Sequence, residues 1–321
     1  MGNFFSSLFS SGKQDGAPDN GEKNDQKNFD ILKYDGIRAM RIGKLAYALK
    51  CFSEASRIKE DFEMMNYMAS AYIMSNNLAE AKGVLDRMVE LRPDDVPTRL
   101  SRVNLLFMMD LDADVVADCL HVIEVEPSNH TAYFLMAKSK RATADPLGAI
   151  ADLTKSIAIK EDFADGYLAR AEILLLMGQA KEALPDVEKA VELAPEEESG
   201  YLLRGRIMAA LGDMEHAASD FNRVLSLNPF NEDANILSGQ LMIEQGRYDD
   251  AISFFDDVID MAPGMAKAYS ERGRAKNLKG DKKGAFEDLK RSLELNPEGE
   301  EAKLMNGRHS NFDNLYKGGI F

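Results

Sequence analysis

The sequence predicts an all-α protein built from stacked helical hairpins, and three recurring positions predict it. An alanine or other small apolar residue returns at Ala48, Ala81, Val115, Ala149, Ala183, Ala217, Ala251 and Ala285, with a first step of 33 residues and later steps of 34. Twelve residues before each stands Gly36, Ala69, Val103, Ala137, Ala171, Gly205, Gly239 or Gly273. Twelve residues after stands Glu60, Pro93, Pro127, Glu161, Pro195, Pro229, Pro263 or Pro297. A fixed period of this length marks architectures in which each repeat is one supersecondary unit. Eight units follow: 29–61, 62–95, 96–129, 130–163, 164–197, 198–231, 232–265 and 266–299.

Each unit carries two apolar stripes of helical period, broken at Gly43, Gly178, Gly212, Gly246 or Gly280. A break this short makes the two helices antiparallel neighbours. Glycine inside a helix costs roughly 1 kcal/mol relative to alanine, so Gly205 needs a compensating gain. Close approach of its helix to Ala217 on the second helix is the expected one. Proline then stops the second helix. Val103 and Val115 fill both small places of the third unit and predict a looser crossing there. Asp145-Pro146 predicts a fourth turn unlike the others. Residues 1–28 read as a mobile N-terminal segment and linker, and residues 300–321 as a capping helix ("EEAKLMNGRHSN" lies here) followed by a tail.

The repeats align the chain with itself, and two columns covary. The seventh place holds Asp35, Met68, Arg102, Met136, Arg170, Arg204, Ser238 and Arg272. Sixteen residues later stand Cys51, Val84, Asp118, Asp152, Asp186, Asp220, Phe254 and Asp288. Arginine and aspartate occur together in units three, five, six and eight; only unit four breaks the rule. Structural ion pairs within a repeat are therefore expected for Arg102–Asp118, Arg170–Asp186, Arg204–Asp220 and Arg272–Asp288, a task suited to the guanidinium fork.

The pattern resembles the tetratricopeptide repeat family over residues 29–299. Unit five carries the signature places as Tyr167, Ala171, Leu174, Gly178, Ala183, Val187, Ala190 and Pro195, whereas the family's tryptophan is absent from every unit. The resemblance implies a right-handed α-α superhelix whose first helices line a concave groove. It puts Leu100, Phe107, Met108, Phe134, Leu168, Leu175, Leu176, Leu202, Ile236 and Ile243 on that wall. Lys138, Arg141, Glu172 and Arg206 are interspersed. Such a wall suits an apolar or amphipathic peptide with an acidic flank; the competing reading is that these side chains pack between adjacent first helices. The family's chaperone adaptors clamp a carboxylate through five lysine, asparagine and arginine places. The first three units hold Lys33, Ile37, Tyr67, Pro97 and Ser101 there, so the clamp is absent and the adaptor reading recedes.

Charge and composition narrow the function class. A formal net charge of −15 opposes phosphate backbones and anionic lipid, so no nucleic-acid partner is expected. Cys51 and Cys119 match no metal or redox spacing and suit a reducing, cytoplasmic setting. His121, His130, His216 and His309 show no ligand spacing, and no cofactor or metal is expected. No stretch approaches the ~20 apolar residues of a transmembrane helix. At the N-terminus, Gly2 and Ser6 fit a myristoylation pattern, and Phe4, Phe5, Leu8 and Phe9 could form a weak membrane or partner docking face. The segments outside the repeats are too short for an enzyme domain, and no phosphate loop, H-E-x-x-H or nucleophile elbow occurs. The expected function is a non-enzymatic protein-protein interaction scaffold; the alternative is a structural spacer or assembly subunit whose groove is filled by its own termini.

Overall fold

The computed structural model describes residues 19–299, which hold sixteen α-helices and no strand among them. Two compact units divide the chain after Ala144. The first contains α1 (Asp19–Arg41), α2 (Leu45–Ile58), α3 (Phe62–Met74), α4 (Leu78–Leu91), α5 (Val96–Met108), α6 (Asp112–Val125) and α7 (His130–Ala142). The second contains α8 (Pro146–Ile159), α9 (Ala164–Leu176), α10 (Ala180–Leu193), α11 (Glu198–Ala210), α12 (Met214–Leu227), α13 (Glu232–Glu244), α14 (Tyr248–Met261), α15 (Ala266–Lys279) and α16 (Lys282–Leu295). Helix α1 corrects the expected linker. It begins at Asp19, ten residues before the first repeat boundary, because the polar stretch to Asn28 continues the helix that Phe29 anchors. The proposed docking residues Phe4, Phe5, Leu8 and Phe9 and the proposed cap and tail at 300–321 lie outside the described residues.

Each first helix ends in a left-handed residue, and this position turns the chain back. Glycine supplies it five times, and Asn76, Asp110 and Ala144 supply it at φ 57°, 55° and 60°. The bonds are those of a Schellman closure: at the end of α9 the Gly178 N–H donates to Leu175 C=O and the Gln179 N–H to Leu174 C=O, each at 2.9 Å. The fourth turn therefore departs from the others less than its sequence suggested. Ala144 adopts the same left-handed conformation, and Pro146 sits in the first turn of α8, where a missing N–H costs nothing. Asp145 caps that helix by accepting from the Gly148 N–H at 2.9 Å.

The helix crossings also refine the sequence reading. A β-carbon on Gly205 would meet the ring of Phe221, sixteen residues on, rather than Ala217. Gly36 faces Phe52 and Gly239 faces Phe255 in the same way. The pairing is one of volume. Ala69 shares a buried cluster with Leu85, and Ala171 shares one with Val187. Val103, expected to loosen the third repeat, is fully buried in one cluster with the small Cys119 and with Val115. The crossing thus needs a complementary sum, not two small residues. The second helices end at one place whether or not proline follows: α2 stops at Ile58, before Glu60, and α4 at Leu91, before Pro93.

Candidate functional site

The seventh-place arginines form bidentate pairs inside their repeats. Arg102 Nε and Nη2 donate to Asp118 at 2.7 and 2.5 Å. Arg170 reaches Asp186 at 2.7 Å through both atoms, and Arg204 reaches Asp220 at 2.8 and 2.6 Å. Arg272 reaches Asp288 at 2.9 and 2.6 Å. The carboxylates are nearly buried, with Asp118 and Asp220 side chains 4% and 6% exposed. Hydrogen bonding to aspartate, working against burial, holds the Arg102, Arg170 and Arg204 guanidinium groups above their usual range.

A second contact was not read from the sequence. The third guanidinium nitrogen, Nη1, points to the preceding repeat, again sixteen residues away. Arg102 donates to Asp86 at 2.8 Å, Arg272 to Asp256 at 2.5 Å, and Arg170 to the Thr154 hydroxyl at 2.8 Å. These three arginines thus tie their own second helix to the previous one, whereas Arg204, among the described residues, bonds only Asp220. The signal was present: Asp86, Thr154, Glu188 and Asp256 are all polar and all precede an arginine by sixteen residues.

In the first unit, the expected groove residues meet on the α5 and α7 faces. Leu100 and Phe107 of α5 and Phe134 of α7 are half-buried against the cluster of Val103, Leu106, Leu135 and Met136. Lys138, on the exposed side of α7, places Nζ 5.4 Å from the Phe107 ring centre and 5.9 Å from that of Phe134. Such cation–π contacts contribute about 0.5–1 kcal/mol each at exposed sites. Met108 and Arg141 are exposed at the ends of α5 and α7.

The second unit does not show the continuous apolar wall. Ile236 and Ile243 are 6% and 3% exposed and belong to the core that α13 shares with α14 and α15. Their places on α13 turn toward Phe255, Val258 and Ala275 rather than toward water. Leu168 and Leu175 are half-buried against Ala171, Val187, Leu203 and Ile207, and Leu202 against Phe221 and Leu241. Glu172 and Arg206 are half-buried as well, while Leu176 is largely exposed. Packing against neighbouring first and second helices thus buries Ile236 and Ile243 and covers part of Leu168, Leu175 and Leu202. Lys33 in the first unit is likewise engaged, by Asp61 at 2.9 Å and Glu63 at 2.6 Å.

Tetratricopeptide repeat family models match residues 168–232, 208–271 and 266–298. This is a tetratricopeptide repeat protein. The sixteen described helices fit about eight repeats. A tetratricopeptide repeat protein from Parabacteroides merdae is similar over 83% of this chain and 99% of its own, with 14% identity and a TM-score of 0.59. Yeast Tom70 aligns over 84% of this chain and 76% of its own at 17% identity, with a TM-score of 0.47. YrrB, described as having an unusual peptide-binding site, aligns over 58% of this chain and 95% of its own, with 22% identity and a TM-score of 0.46. No curated protein sequence matches the chain. Among the described residues, no helix of the repeat protein is long and apolar enough to cross a membrane, and no cluster of three or more His, Cys, Asp or Glu is placed to hold a metal ion.

Proposed function

We propose that the protein is a non-enzymatic interaction scaffold. On this reading its first unit binds a peptide that presents an apolar or aromatic side chain next to a carboxylate. The observation that carries the reading is Lys138, an exposed cation standing over the rings of Phe107 and Phe134 in a chain of net charge −15. The rings offer apolar contact while the ammonium selects for negative charge, and the acidic remainder of the surface repels misplaced anions. Selection of random displayed peptides on the full chain tests this. Enriched sequences should join Asp or Glu to Leu, Phe or Met, and Lys138→Glu should abolish their binding without loss of helical content. Enrichment unaffected by Lys138→Glu would refute the assignment.

A second reading, a structural spacer, is favoured by the second unit, where Ile236 and Ile243 are core and Leu168 and Leu202 are half-buried. It predicts that no peptide is enriched. The carboxylate-clamp adaptor has no support, since four of its five places lack the required residue and Lys33 is held by Asp61 and Glu63.

A further inference from the structure

We infer that the outer face of α1 docks a second copy of this chain. The inner side of α1 packs through Phe29, Leu32 and Ala39 into the core formed with α2 and α3. Among the described residues the opposite side is open. Six of its residues fall into two rows along the i±4 direction, the ridges that helix packing uses. Lys27, Ile31 and Asp35 form one; Asp30, Tyr34 and Arg38 form the other, and all six border one shallow hollow. Ile31 is 50% exposed and Tyr34 62%.

The charge order identifies the occupant. Each row has an apolar centre with opposite charges at its two ends. A two-fold axis perpendicular to the helix reverses a row end for end, so a row of this kind complements itself. Four helical residues span about 6 Å. With Ile31 set against Ile31 of a second copy, Lys27 comes level with that copy's Asp35, and Asp35 with its Lys27.

The same register places Tyr34 opposite Asn28 and Arg38 opposite Asn24, so no like charges meet. Alternatives fare worse. A register centred between Ile31 and Tyr34 sets Lys27 against Arg38 and Asp30 against Asp35. One centred on Tyr34 sets Lys27 against Arg41. Charge repulsion therefore selects the Ile31 register, and a two-fold contact closes as a dimer instead of growing into a filament. Within the chain these charges are only lightly engaged. Arg38 and Asp35 stand 3.7 Å apart with the Arg38 side chain 79% exposed, and Asp30 accepts from Gln26 at 2.8 Å.

The test uses the full chain carrying Ile31→Cys, since Cys51 and Cys119 are buried and form no disulfide. Mild oxidation should give a covalent dimer, because the two sulfurs meet at the axis. Adding Lys27→Asp, or instead Asp35→Lys, should weaken association roughly tenfold, which corresponds to ~1.4 kcal/mol. Mixing the two charge variants should restore the yield, because each then supplies what the other lacks. Light scattering on the unmodified chain should show mass rising toward the dimer with concentration. A chain that stays monomeric, a cross-linking yield indifferent to the charge reversals, or a mixture no better than its components would each overturn the proposal.

Discussion

The ring of Phe221 occupies the space that a side chain on Gly205 would need, its Cε1 lying 2.5 Å from the position of the missing β-carbon. Gly205→Ala should therefore lower stability despite alanine's better helix propensity. Overpacking costs typically 1–3 kcal/mol, against about 1 kcal/mol gained in propensity. Adding Phe221→Leu should recover most of the loss, since it recreates the Ala69 and Leu85 combination of the second repeat. Urea denaturation of the three variants decides; a more stable Gly205→Ala protein would show that the ring yields freely.

Arg204 and Asp220 make a second test. Removing the arginine leaves a carboxylate that is nearly buried, and breaking a buried pair from one side costs roughly 3–5 kcal/mol. Arg204→Met should approach that range. Arg204→Met with Asp220→Val, the combination of Met68 and Val84 in the second repeat, should cost much less. Equal losses in the single and double variants would mean that the aspartate remains solvated.

Ala144 holds the left-handed turn position at φ 60° without being glycine. An L-residue there is strained. Ala144→Gly should raise stability by about 1 kcal/mol, the usual scale for backbone substitutions of this type. The change touches no packed side chain, so circular dichroism should be unaltered while the denaturation midpoint rises.

Acid should loosen the contact between α1 and the start of α3. Burial alone would raise the Asp61 carboxyl, but the Lys33 ammonium and the Met64 N–H outweigh it and hold the group below its ordinary value. A carboxylate depressed in the folded state contributes stability that is fully present above its unfolded value, roughly 3.9, and lost as pH falls through the folded value. Stability should thus decline below about pH 4, and Asp61→Asn should flatten that part of the profile. Amide exchange in α3 reads it locally. An unchanged acid limb in the variant would assign the effect to other groups.

The helical repeat was legible because alanine, glycine and proline act through backbone sterics, which local sequence encodes directly. The Arg–Asp columns were legible because the chain aligns with itself. What the small residues face was not. Gly205 could be seen to make room, but Phe221 rather than Ala217 fills it, since side-chain volume at a crossing is shared among several positions. Nor was the depth of each wall residue legible. Ile236 and Leu202 stand at one repeat place, yet the first is core and the second half-buried, because neighbouring repeats contribute different bulk. Lys138 was named as a charge, but its stacking over Phe107 and Phe134 depends on two different helices.

Ser238 stands at the seventh place, where four other repeats carry an arginine, and its buried hydroxyl has no hydrogen-bond partner. In the second unit, Arg170 fastens its repeat backward to Thr154, and Arg272 fastens its own to Asp256. Among the described residues the sixth repeat, whose Arg204 bonds only Asp220, and the seventh have no such rivet on their leading sides. Pulled from its ends, the second unit would part along the two untied joints, between α10 and α11 and between α12 and α13, which leaves the clamped pair of repeats from α13 to α16 to unravel later as one block.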